Sequence, residues 1–150
     1  MVFEDAYINF WQDIGASKKM VLSTSLDNIV TSRTMSVVIL NEKFYFQTDR
    51  TFRKYNQLKG NSNVALCVDN IQIEGCCNEL GIPSENAEFS NAYQKHFLSS
   101  YNRYSSLENE RLFAVSPTFI KRWLYIDNVP YIEMFDITNR KYSLVQYLGI

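Results

Sequence analysis

Three short segments, "KKMVLSTS", "SRTMSVVIL" and "KFYFQTD", follow one another between residues 18 and 49 with only brief polar breaks between them. Each is rich in β-branched and aromatic residues, which suit a pleated, half-buried strand. Asn28 falls in the first break. Asn41-Glu42 has the length of a two-residue hairpin turn. Breaks that short join antiparallel neighbours, so the three segments predict a β-meander.

The flanking sequence changes period. Phe3, Tyr7, Phe10, Trp11 and Ile14 share one helical face over residues 3–14, and Gly15 ends it. After the third strand, Thr51 reads as the cap of a helix with Phe52, Tyr55 and Leu58 on its apolar face, closed by Gly60-Asn61. "NVALCV" and "IQIEGCCNEL" return to strand character. Gly75 inside the second predicts a bulge or bend of the kind that curls a small sheet towards a barrel. Residues 82–104 read as the longest helix. Ser84 is its cap, Glu85 and Glu88 lie near its positive end, and Phe89, Tyr93, Phe97 and Tyr101 form its stripe. "LFAVSPTFIKRWLYID" reads as a strand broken at Pro117, "PYIEMFDI" as a further strand, and the last dozen residues as a terminal extension. The expectation is one domain over residues 1–150, mainly antiparallel β, with flanking helices and a closed or partly closed barrel.

Several chemistries find no support. A net charge of −1 argues against broad nucleic-acid binding. Cys67, Cys76 and Cys77 form neither a disulfide framework nor a metal-ligand spacing, and read as reduced, packed thiols in a cytoplasmic protein. The acidic, interrupted N-terminus is not a signal peptide, and no apolar run reaches membrane-spanning length. There is no G-x-S-x-G, H-E-x-x-H, G-x-G-x-x-G or Walker loop. His96, the only histidine, reads as a partly buried structural residue on the edge of the long helix's stripe.

One stretch stands apart. "TDRTFRKYNQLKGN" (48–61) holds Arg50, Arg53, Lys54 and Lys59, four of the fifteen basic residues. A helix start offers free N–H groups and partial positive charge, which suits a phosphate. Arg53 and Lys54 would lie in the first turn, with Thr48 and Thr51 as hydroxyl donors. A solvated helix face accounts for the same residues, and composition does not choose between the two.

The order "SRTMSVVIL…KFYFQTDRTFRKYNQLKGNSNVALCV…IQIEGCCNEL" resembles the pyridoxamine 5′-phosphate oxidase-like proteins, the FMN-binding split β-barrels. The matching pieces are Arg33 to Val38, Gln47-Thr48, Arg53-Lys54, Asn61 to Leu66, and Gly75, and the resemblance runs from about residue 5 to 127. It implies FMN as cofactor, a homodimer with flavin between the subunits, and oxidoreductase chemistry on a small molecule. By the same resemblance, Arg53 and Lys54 would bind the FMN phosphate and Thr48 would contact the cofactor at the end of the third strand. Arg33, Thr34, Met35 and Ser36 would lie along the isoalloxazine and ribityl. Asn70 stands where the oxidases place a flavin-contacting glutamine, and Trp123 where they place a tryptophan from the second subunit. The sequence departs from the true oxidases after Trp123. Glu133 lies roughly where an arginine is expected, and the arginine- and histidine-bearing substrate grip is missing. Other ligands known for split barrels are a deazaflavin or haem, and a flavin-binding or sensing protein without catalysis fits the same residues.

Overall fold

The computed structural model describes residues 1–149. Helix α1 (Phe3–Ile14) is followed by strands β1 (Ser17–Leu26), β2 (Ile29–Leu40) and β3 (Lys43–Asp49), then helix α2 (Arg53–Gly60). Strands β4 (Asn63–Val68) and β5 (Ile71–Gly81) follow. A 3-10 turn (Pro83–Glu85) leads into helices α3 (Ala87–His96) and α4 (Leu98–Tyr104). The long strand β6 (Glu110–Ile126), β7 (Val129–Asp136) and β8 (Lys141–Gln146) complete the chain. All pairings are antiparallel, in the order β3-β2-β1-β4-β5-β6, and β3 also pairs with β6. The first six strands therefore form a closed barrel, and β7 and β8 continue the sheet outward from β6.

Uninterrupted apolar runs such as "VVIL" and "FYF" serve two cores at once. Successive side chains of a strand point to opposite faces. Val37, Ile39, Phe44, Phe46, Phe113 and Val115 join the main core with α1, while Val38, Tyr45, Leu112 and Ala114 pack under Phe89 and Tyr93 of α3. Three of the four two-residue turns, Asp27-Asn28, Asn41-Glu42 and Asp127-Asn128, have both residues at positive φ. That twist matches the strands they join.

Strand β6 is where the barrel splits. Its first half pairs with β3, from Glu110 to Val115, and its second half with β7, from Phe119 to Ile126. Pro117 has no partner on the β3 and β7 side and pairs with Gly75 of β5 at a bulge, a place where a strand tolerates proline. The strand runs on through Pro117 with Thr118 bulged out, because Glu74 pairs with Phe119 and Gly75 with Pro117. Gly75 is needed at this point. A Cβ there would lie 2.6 Å from the Ser116 carbonyl oxygen and 2.8 Å from Val115 Cγ1. Gly75→Ala is expected to cost about 1–3 kcal/mol, the usual range for overpacking. An unchanged urea midpoint would show that the close approach is not a constraint.

The structure corrects further local expectations. Cys67, expected as a packed thiol, is exposed, while Cys77 is buried. Residues 82–104 are not one helix capped by Ser84. Asn86 caps α3, its side chain accepting from the Phe89 N–H, and the chain breaks at Phe97 before α4. The last dozen residues are not merely an extension, since β8 pairs with β7. Thr51 is not a helix cap, and Phe52 is exposed rather than on the apolar face. His96 is exposed, not partly buried. Among the described residues no helix is long and apolar enough to cross a membrane.

Candidate anion site at the start of α2

Asp49, at the end of β3, accepts from the Thr51 N–H at 2.7 Å and the Thr51 hydroxyl at 2.6 Å. This local turn swings the chain from the sheet into α2. The cap position then falls on Phe52, which has no side-chain acceptor, and the first turn holds no acid. The first N–H groups of α2 thus lack a side-chain acceptor, and Arg53 and Lys54 add positive charge at the helix's positive end. Cations there are unfavourable unless an anion compensates them.

Lys54 does not extend into solvent. It folds back until Nζ lies 3.3 Å from Met35 Sδ on β2. Burial, and then the charge of Arg33, hold its ammonium below the ordinary lysine range. Burial and the charge of Arg53 likewise lower Arg33. The three cations therefore sit close enough to oppose one another, and among the described residues none of them forms an ion pair.

Arg33 is also a structural tie. Its guanidinium donates to the Leu22 carbonyl at 3.1 Å, to Thr24 Oγ1 at 2.9 Å and to Thr31 Oγ1. Both threonine hydroxyls donate to Gln57 Oε1 at 2.7 Å. A buried polar network thus joins β1 and β2 to α2 and fixes where the helix start sits. Sequence reading missed Gln57. Its one signal is its place beside Leu58, on the side of α2 that meets the barrel.

The four residues expected along the flavin divide between two faces. Arg33 and Met35 share the face that meets α2, whereas Thr34 is exposed and Ser36 lies beside Tyr93 of α3. Thr48 is buried, and its hydroxyl has no partner. It lines a cavity of about 300 Å³ together with Gln47, Lys54, Tyr104, Leu107 and Glu110. Gln47 accepts from the Ser105 hydroxyl at 3.0 Å, but its Nε2 is buried without a partner, as is Glu110 Oε2. Burial, reinforced by the charge of Asp49, pushes Glu110 up to about 7. Gln47 entered the sequence reading only as part of the matching Gln47-Thr48 pair, with no role of its own, and Glu110 gave no motif; only its position on a strand beside the basic stretch marks it. A groove of about 320 Å³ beside Ser23, Asn63, Glu74 and Thr118 has no lysine or arginine in its lining. Of the two, only the cavity at Lys54 offers cationic and unpaired donor groups to an anion.

Asn70 and Trp123 meet each other instead. The Asn70 amide donates to the Trp123 carbonyl, and the Trp123 N–H to the Asn70 carbonyl at 3.2 Å. The Trp123 ring packs edge-on against Tyr147 at 5.1 Å. Among the described contacts, nothing joins this pair to the Lys54 cluster within one chain. Glu133 is committed elsewhere. It is buried, bonds Arg122 at 2.8 Å and accepts from the Tyr142 hydroxyl at 2.7 Å.

No family model matches the sequence, and neither does any curated protein. Solved structures do match in shape. The general stress protein 26 of Bacillus anthracis superposes with a TM-score of 0.59 over 98% of this chain and 100% of its own, at 20% identity. A pyridoxamine 5′-phosphate oxidase-related, FMN-binding protein of Nostoc punctiforme gives 0.57 over 85% of each chain, at 12% identity. The chain has the split-barrel fold of the pyridoxamine 5′-phosphate oxidase-like proteins. HutZ, the haem storage protein of Vibrio cholerae, shares this split barrel, with a TM-score of 0.59 over 78% of this chain and 91% of its own at 16% identity. At such identities the likeness is one of fold, so cofactor and chemistry rest on the side chains.

Proposed function

We propose that this split barrel is an FMN-dependent oxidoreductase, a cytoplasmic homodimer acting on a small, non-phosphorylated acceptor. The observation that carries the reading is the uncompensated Arg53-Lys54 pair at an α2 start without side-chain acceptors. The unpartnered Thr48 hydroxyl lies beside it. Each of these groups can donate, and a phosphate monoester dianion only accepts, so the residues present fit the cofactor's phosphate. Met35 and Arg33, with Thr34 and Ser36 through backbone groups, would follow the flavin along β2. Asn70 would contact the flavin, and Trp123 would reach it from the second subunit.

Flavin supplies the hydride or electron transfer when bound, and the protein supplies orientation and hydrogen bonds. Pyridoxamine 5′-phosphate is disfavoured as substrate because its phosphate needs a second cationic site. Glu133 is held by Arg122 and Tyr142, and Arg140 is held by Glu4 at 2.7 Å. A haem reading has the fold of HutZ in its favour, but His96 is exposed at the last turn of α3 and makes none of the described contacts with the α2 cluster.

Single-turnover absorbance tests the proposal. The FMN-loaded protein is expected to bleach with NADH or NADPH and to recover its colour when a quinone or nitroaromatic is added. Pyridoxamine 5′-phosphate is expected to leave the spectrum unchanged. Rapid saturable bleaching by that amine would restore the oxidase assignment. No bleaching by either nucleotide would favour a flavin-binding protein without catalysis.

A further inference from the structure

Glu110 adds to the Lys54 cavity a group that a simple phosphate clamp does not need. It opens β6, is 7% exposed, and lies directly across the ladder from Asp49. Like charges in directly opposed strand positions repel. The Asp49 carboxylate is already engaged by Thr51, so Glu110 is the member of the pair that gains by staying neutral. Other groups face it from each packed element: Lys54 from α2, Tyr93 from α3 and Tyr104 lining the cavity from α4. Its neighbour Arg111 does not neutralise it, because that guanidinium donates to the Glu108 and Glu110 carbonyls at 2.9 and 2.7 Å. Glu110 Oε2, Gln47 Nε2 and Thr48 Oγ1 are buried without a well-formed hydrogen bond, Gln47 facing Glu110, and all three residues line this one cavity.

We propose that Glu110 couples phosphate binding at this site to proton uptake. As the neutral acid it leaves Lys54 free for a phosphate monoester and donates its own hydrogen bond into the cavity. As the carboxylate it takes Lys54 as counter-ion and repels the incoming dianion. The inference rests on the FMN-phosphate reading and adds a control to that site.

The sign follows from the charges. The carboxyl of the free protein titrates at about 7, raised chiefly by burial and by Asp49, with Lys54 pulling the other way. A bound dianion raises it further, so binding above pH 7 takes up a proton and affinity falls as pH rises, by at most about tenfold per pH unit. The ligand alone has the opposite trend, because its phosphate completes its second ionisation near pH 6.

The experiment measures FMN affinity by quenching of flavin fluorescence at pH 7 and 8.5, in the native protein and in Glu110→Gln. The native protein is expected to lose roughly tenfold in affinity over that span. E110Q should lose far less, and it reports what Lys54 and the remaining groups contribute. Calorimetric titration of the native protein at pH 8, in two buffers of different ionisation enthalpy, should give uptake approaching one proton. That measurement needs no variant to fold. FMN binding without proton uptake, or with the same pH slope in both proteins, overturns the coupling alone. Failure of FMN to bind at any pH overturns the phosphate-site reading, and the coupling with it.

Discussion

Replacing Arg53 and Lys54 together with alanine is expected to weaken FMN binding on the order of 100-fold or more, and to leave riboflavin binding nearly unchanged. Each charge-assisted hydrogen bond to a phosphate contributes roughly 1.5–3 kcal/mol. The lower end suits Arg53, which is exposed and open to screening by salt. Lys54 is drawn in against Met35 and should carry the larger share. The same variant should melt no lower than the native protein. Two like charges are removed from the positive end of α2, and alanine has the best helix propensity. Binding lost with stability kept would identify the pair as charges held against the helix for a ligand. Equal affinity of the native protein for FMN and riboflavin would remove the phosphate clamp altogether.

What could be read from the sequence depended on whether the determining interaction was local. The meander of β1 to β3 was legible because strand period and turn length are properties of adjacent residues. Gly75 was legible as a bend for the same reason, although its partner across the bulge, Pro117, was misread as a strand break. The bulge against β5 and the change of partner along β6, which together accommodate Pro117, are long-range facts. The helix at 82–104 kept its apolar stripe in sequence, so nothing local announced the break at Phe97. Strand β8 earns its place only from β7.

The site divides in the same way. Arg53, Lys54 and Thr48 were found from one continuous stretch, and the structure adds a physical reason: a helix start with no acceptor of its own. Gln57 and Glu110 were invisible, and Gln47 was seen only within the matching Gln47-Thr48 pair, because each matters through a partner more than twenty residues away: Thr24 and Thr31 for Gln57, Ser105 for Gln47, Lys54 and Asp49 for Glu110. Glu133 was noted only as the wrong charge for a substrate grip. Its actual role is to neutralise Arg122, its cross-strand partner on β6, while accepting from Tyr142 of β8.

Phe135→Ala is expected to be among the most destabilising single substitutions, at about 3–5 kcal/mol, the usual cost of truncating a buried phenylalanine. Phe135 on β7 is fully buried. Its ring meets Phe3, Tyr7 and Phe10 of α1 at 6.1, 5.9 and 5.5 Å, and Tyr142 of β8 at 4.9 Å. It is the apolar centre of the contact between α1 and the split-off strands, flanked by Arg140 over Phe3 and Arg122 over Phe10. A twelve-residue helix is marginal alone, so α1 depends on this packing. The ion pair between Glu4 and Arg140 is exposed on both sides and screened by solvent, so it contributes little. It cannot keep α1 docked once the ring is gone. For a chain of this size the loss corresponds to a melting point lower by on the order of 10 °C, with faster amide exchange concentrated in residues 3–14. Phe135→Leu keeps most of the volume and should cost clearly less. A loss below about 1 kcal/mol for the alanine variant, with exchange in α1 unchanged, would mean that the helix is held by the rest of its buried face and not through Phe135.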